Sequence, residues 1–200
     1  GRFGADAADD SAQSFAQRGS DVEGEISVSV DEVLHGSVRS VSFQRVNSRT
    51  GESETHRFKV RIPPGVQDGQ LIRLAGKGET GFGGAAAGDL YLRVRVAAHP
   101  EFQIQGSDLL VDLDLAPWEA VLGTTVSVKT LEGSVSVRIP PGTNPGQQLR
   151  LRRHGLPRGQ SGERGDLFVR LAVKLPGSLT AEEKSLWEQL SRVSTFRPRS

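Results

Sequence analysis

The chain has 200 residues and a formal charge of +1, and it contains neither cysteine nor methionine. Its 24% of charged residues balance in sign, which excludes an acidic disordered chain and a uniformly basic nucleic-acid binder. The absence of cysteine excludes disulfides, thiolate-bound zinc, iron–sulfur clusters and thiol catalysis, and is silent on compartment.

No apolar run approaches the roughly 18 residues that span a bilayer, and no signal peptide is visible. Without an initiator methionine the chain reads as a fragment, a processed form or a trimmed chain. Residues 1–22 lack apolar periodicity and are rich in Gly, Ala, Asp, Ser and Gln; they read as a flexible linker containing Phe3 and Phe15. EISVSV (25–30) alternates strictly, with Ile26, Val28 and Val30 on one face of a strand. A short helix is expected next, capped by Asp31 and Gly36. In the following strand Val38, Ser40 and Ser42 oppose Arg39, Val41 and Phe43.

An internal repeat organises the rest. VRIPPGVQDGQLIRLAGKG (60–78) returns as VRIPPGTNPGQQLRLRRHG (137–155), and GDLYLRVRV (88–96) returns as GDLFVRLAV (165–173), both 77 residues later. DEVLHG (31–36) answers WEAVLG (118–123) at an offset of 87, so the first copy carries ten extra polar residues. Two copies are too few for a solenoid. Leu109, Val111, Leu113 and Leu115 share a strand face, and Pro117 and Gly123 bracket a second short helix. Thr180-Ala-Glu-Glu183 is a capping box. It opens a helix whose stripe of Leu186, Trp187, Leu190 and Val193 needs a surface to bury against. The expected fold is mainly β: two tandem homologous β-sandwich-like domains plus a short C-terminal helix. The boundaries are a linker at 1–22, a first domain at 23–103, a second at 104–178, the helix at 179–195 and a tail at 196–200.

Motifs for chemistry are sparse. Gly76-Lys77-Gly78-Glu79-Thr80-Gly81 matches GxGxxG, but a loop and a strand follow it instead of the helix that a phosphate-binding turn requires. His35, His56, His99 and His154 have no metal-ligand spacing, and no nucleophile elbow occurs. Asp31, Glu32, Glu182 and Glu183 sit where helix N-termini prefer acids. Neither a cofactor nor a metal is called for. Charge is unevenly spread: residues 21–34 hold five acids and no base, whereas 138–170 hold seven arginines against Glu163 and Asp166. That stretch reads as a solvated basic face or as a site for anionic partners, nucleic-acid phosphates included.

The doubled V-R-I-P-P-G-x3-G-Q pattern, the GDL strands, His99-Pro100-x-Phe102 and Pro117-Trp118-Glu119-Ala120-x-Leu122-Gly123 resemble the C-terminal half of the DnaJ-type J-domain co-chaperones. The resemblance covers 22–195. It is nearest to class B members without the zinc module and to their curved-DNA-binding subgroup, because no CxxCxGxG repeat is present. The J-domain itself is missing. His99-Pro100-Glu101 is one residue short of the J-domain His-Pro-Asp and follows a strand, so it is not a J-domain signal.

The resemblance implies a horseshoe-shaped homodimer joined through Leu186, Trp187, Leu190 and Val193. It also implies binding of unfolded polypeptides and their delivery to a DnaK-type chaperone in the cytoplasm. Its client groove maps onto Ile26, Val28, Val41, Phe43 and Phe102, and the receptor for the partner's acidic C-terminal tail maps onto Arg39. From the residues alone, the same apolar side chains read equally as sandwich core. An architectural DNA-binding protein is the alternative function; an enzyme is not expected.

Overall fold

The computed structural model describes residues 16–46, 53–159 and 161–199. The elements in chain order are β1 (Val22–Val28), α1 (Val30–His35), β2 (Ser37–Val46), β3 (Ser53–Ile62), β4 (Leu71–Leu74), β5 (Leu90–Val96), β6 (Gln103–Gln105), β7 (Asp108–Leu115), α2 (Pro117–Leu122), β8 (Thr124–Thr130), β9 (Gly133–Ile139), β10 (Gln148–Leu151), β11 (Leu167–Val173) and α3 (Ala181–Val193). The chain is thus mainly β, with several sheets and a short C-terminal helix. It packs as two compact units: residues up to Leu110 with Leu151–Leu167, and Val111–Arg150 with the segment from Phe168 onward.

The repeat in sequence is a repeat in topology. One sheet runs β1-β5-β4 and the other β10-β11-β7-β6, while β2-β3 and β8-β9 form separate two-stranded ribbons. Equivalent residues make equivalent bonds: the Val22 N–H donates to the Asp89 carbonyl at 2.8 Å, and the Leu109 N–H to the Asp166 carbonyl at 2.9 Å. β1 pairs parallel with β5, so Ile26 lies beside Val94 and Val28 beside Val96. β4 pairs antiparallel with β5. Alternation on these strands puts Ile26, Val28, Leu90, Leu92 and Val94 in a core closed by Val33 and Leu34 of α1 and by Val60 and Ile62 of β3. In the second unit Leu115, Ala120, Val128, Val137, Ile139, Val169 and Leu171 are buried.

Two local expectations are corrected. The first strand ends at Val28, and Val30 is the first residue of α1. The cap of α1 is Ser29, not Asp31: the Glu32 N–H donates to Ser29 Oγ at 3.2 Å, and the Ser29 N–H donates to Glu32 Oε2 at 3.0 Å. A serine one residue before the apolar start completes this reciprocal box, leaving Asp31 in the first turn. Both helices end as expected at a glycine with positive φ, Gly36 at 74° and Gly123 at 78°. A Cβ at Gly36 would come within 3.0 Å of the Ile62 carbonyl oxygen, and one at Gly123 within 2.9 Å of the Ile139 carbonyl oxygen. The GxGxxG stretch leads through a loop into β5, with no helix after it.

Residues 17–22, which read from sequence as linker, are tied to the loop before β5. Gly19 N–H donates to the Ala86 carbonyl at 3.0 Å, Glu79 N–H to the Ser20 carbonyl at 2.9 Å, and Asp89 N–H to Asp21 Oδ1 at 2.7 Å.

Candidate functional site

The β2–β3 ribbon carries three of the residues expected to bind, Arg39, Val41 and Phe43. Its register sets Arg39 opposite Val60, Val41 opposite Phe58 and Phe43 opposite His56, and directly paired residues share a face. On this face Val60 is buried, Val41, Phe43 and Phe58 are half-buried, and Arg39 and His56 are exposed. Phe43, His56, Arg57 and Phe58 line a cavity of about 110 Å³ with Gly76 and Lys77. That is well below the ~300–1,000 Å³ of a small-molecule site and suits a single side chain. Among the described residues, β2 and β3 pair only with each other, so both outer edges offer unpaired backbone groups.

Arg39 stands at the end of this face. Its Nη1 donates to the Ser27 carbonyl at 2.6 Å and lies 3.5 Å from Glu32 Oε2. Glu32 also accepts from the Ser37 hydroxyl at 2.8 Å. Partial burial pushes the Glu32 carboxyl up, but the bonds from Ser29 and Ser37 and the charge of Arg39 outweigh it and hold the group below the usual carboxylate range. The guanidinium therefore has a fixed base and keeps further N–H donors for a ligand.

The other expected groove residues lie elsewhere. Ile26, Val28 and Phe102 are only 6%, 0% and 4% exposed. The alternation of β1 turns Ile26 and Val28 into the core, and Phe102 packs on the His99 ring with centroids 5.0 Å apart. The open apolar set is therefore Val41 and Phe43 with Phe58 and His56. Those two facing residues were missed; the signal was the alternation of HRFKVRI (56–62), which needs the strand register to become a site.

In the second unit, Thr180 and Glu183 cap α3 as expected, with bonds of 2.7 and 3.2 Å. No residue of α3 is buried. Leu186, Leu190 and Val193 are 58%, 51% and 76% exposed, and Leu186, Trp187 and Leu190 form an apolar groove with Trp118 and Leu179.

The arginine-rich loop contains an open depression lined by Arg153, Ser161, Gly162, Glu163 and Arg164. Arg164 donates from Nε and Nη2 to the Gly155 carbonyl at 3.0 and 2.9 Å, and Arg158 lies 3.5 Å from Asp108. Arg153 is the one described non-glycine residue with positive φ, at 62°. It occupies the place of Gly76, whose φ is 67°. Both backbone N–H groups donate to the carboxylate before the last strand of their copy, Gly76 to Asp89 and Arg153 to Asp166. Among the described residues, no three His, Asp or Glu side chains gather to hold a metal, and no helix is long and apolar enough to cross a membrane.

The chain is 43% identical over 193 residues to the curved DNA-binding protein of Pseudomonas putida strain W619, covering 94% of this chain and 60% of that protein. It is 41% identical over 191 residues to the curved DNA-binding protein of Coxiella burnetii strain Dugway 5J108-111. It is 42% identical over 188 residues to that of Pseudomonas syringae pv. tomato strain DC3000. The chain spans about 60% of the length of these relatives. Residues 22–176, which hold both copies of the repeat and both ribbons, match the DnaJ C terminal domain, and the chain belongs to that family.

Proposed function

We propose that this chain is the client-holding region of a DnaJ-type co-chaperone. On this reading it binds non-native polypeptides and passes them to a DnaK-type chaperone in the cytoplasm. The observation that carries the reading is the β2–β3 ribbon, with free edges and half-buried Val41, Phe43 and Phe58 beside Arg39. An extended client can add along such an edge through backbone hydrogen bonds, which tolerate any sequence, while single side chains enter the cavity beside Phe43 and Phe58. Arg39 would receive a carboxylate of the partner's acidic tail. Homodimerisation through α3 would place two such ribbons on one assembly and raise their avidity for one client. The direct test is suppression of aggregation of a chemically unfolded protein by this chain alone. No suppression at stoichiometric concentration would remove the reading.

A second reading, binding of DNA by a nucleoid-associated protein, is favoured by the name of the curved DNA-binding relatives and by the surplus of arginine in 138–170. The two roles can coexist. Salt separates them, because phosphate binding weakens steeply with salt and apolar client binding does not.

A further inference from the structure

The β2–β3 ribbon has a second face, opposite the one that carries Arg39, Val41 and Phe43. Here the register pairs Val38 with Arg61, Ser40 with Lys59 and Ser42 with Arg57, and all six residues are exposed. Three cations therefore alternate along β3, roughly 6.7 Å apart at a rise of about 3.3–3.4 Å per residue. Small hydroxyl residues lie beside them on β2. Among the described residues, the ion pairs of the first copy engage Arg18, Arg39, Arg73, Arg93 and Arg95. None engages Arg57, Lys59 or Arg61.

The fold does not require this row. Shifted by 77 residues, its positions in β9 hold Ser134, Ser136 and Arg138, and the same ribbon forms there. Like charges two apart on one strand face repel, so the row costs stability unless an anion neutralises it. Its chemistry favours a repeating anion over a peptide: between Val38 and Ser42 and their partners the face holds three cations, two serines and one large apolar side chain, Val38. A two-stranded β-ribbon also fits the major groove of B-DNA, about 12 Å wide. Serine hydroxyls and Lys or Arg side chains are the usual donors to phosphate oxygens.

We propose that this outward face, Arg57, Lys59 and Arg61 with Ser40 and Ser42, is where the chain binds the phosphate backbone of duplex DNA. The proposal rests on the second reading above and gives it a location outside the arginine-rich loop.

The test is binding of a short mixed-sequence duplex to the whole chain between about 50 and 200 mM salt. It compares wild type, Lys59→Ser with Arg61→Ser, and Arg152→Ser with Arg158→Ser in the loop. The ribbon variant leaves Arg57, which also lines the cavity beside Phe43 and Phe58, in place, and its thermal midpoint and aggregation suppression report that fold and client face are intact. The expected result is affinity lowered about tenfold or more at low salt. The slope of log K against log salt should fall by roughly 1.8, about 0.9 for each lost phosphate contact. Wild type that binds no duplex overturns the DNA reading and the proposal together. Wild type that binds, with an unchanged ribbon variant and a weakened loop variant, keeps the reading and overturns the location. A ribbon variant that loses binding to polyglutamate but not to duplex makes the face an acidic-protein site and also overturns it.

Discussion

Single residues show where the two copies diverge under one backbone. Gly76 and Arg153 share a left-handed turn, and a non-glycine residue there carries a strain of about 1–2 kcal/mol. Arg153→Gly should relieve that strain while losing about 0.4–1 kcal/mol to the greater freedom of the unfolded chain. The expected thermal stability is unchanged or slightly raised; a clear loss would mean that the Arg153 side chain holds the loop. Carboxylates give the fold its acid limit. Asp89 is held below the usual range by the Gly76 N–H and by Arg73, Asp112 by Arg170, and Glu183 by the Thr180 N–H and hydroxyl. Groups with folded values below their unfolded ones stabilise the fold fully above the unfolded values, about 3.9 for Asp and 4.3 for Glu. That contribution is lost as pH falls through the depressed values, because the unfolded chain then binds more protons. Urea unfolding along a pH series should show stability flat from neutral to about pH 5 and declining in acid, with a shallower decline in Asp89→Asn. At the client face, Arg39→Ala should weaken binding of a peptide ending in acidic residues by about 1.5–3 kcal/mol. Calorimetry at two salt concentrations checks it, and unchanged affinity would discard Arg39 as the receptor.

At the scale of elements, α3 is the one whose surface demands something further. It has a complete cap and an apolar stripe, yet buries none of its residues. Covering Leu186, Trp187 and Leu190 in each subunit would gain several kcal/mol at about 1.5–3 per side chain, enough for a modest dimer after association costs. A chain ended at Gly177 should sediment as a monomer where the full chain is a dimer; a persistent dimer would place the interface elsewhere. The caps, turns and most strands were legible because their signals are local: Thr180 with Glu183, Pro117 with Gly123, and the alternation of residues 90–96. The 77-residue repeat announced that β4 and β5 would return as β10 and β11. The parallel pairing of β1 with β5 was not legible, because its partners stand 68 residues apart at Val22 and Leu90 and no local pattern states a long-range register. The same gap explains the groove. Alternation says which residues of a strand share a face, but not whether that face meets the core. Ile26, with Val28, and Val41, with Phe43, have the same pattern in sequence; only the sheet that β1 joins, and the one that β2 does not, separates them.

For the whole molecule, the question is whether a surface can be lost without losing the fold. The core lies in residues such as Val28, Val60, Ile62, Leu90 and Val94, all within 1% of full burial. Truncation of side chains like these costs about 2–5 kcal/mol, a large share of a typical domain's stability. Val41 and Phe43 are only half-buried, on a ribbon outside the three-stranded sheet. Val41→Ser with Phe43→Ser should therefore shift the thermal midpoint by several degrees and no more, since about 1 kcal/mol moves a domain of 60–100 residues by roughly 4–8 °C and a larger one by less. If clients bind on Val41 and enter the cavity beside Phe43 and Phe58, aggregation suppression should fall sharply in the same variant. Unfolding and suppression measured on one preparation separate the outcomes. A large drop in midpoint would show that the pair belongs to the core. An intact midpoint with intact suppression would move client binding off this face, to the free ribbon edges or to the second unit. An intact midpoint with lost suppression would leave the apolar face of the ribbon as the place where this chain meets unfolded polypeptide.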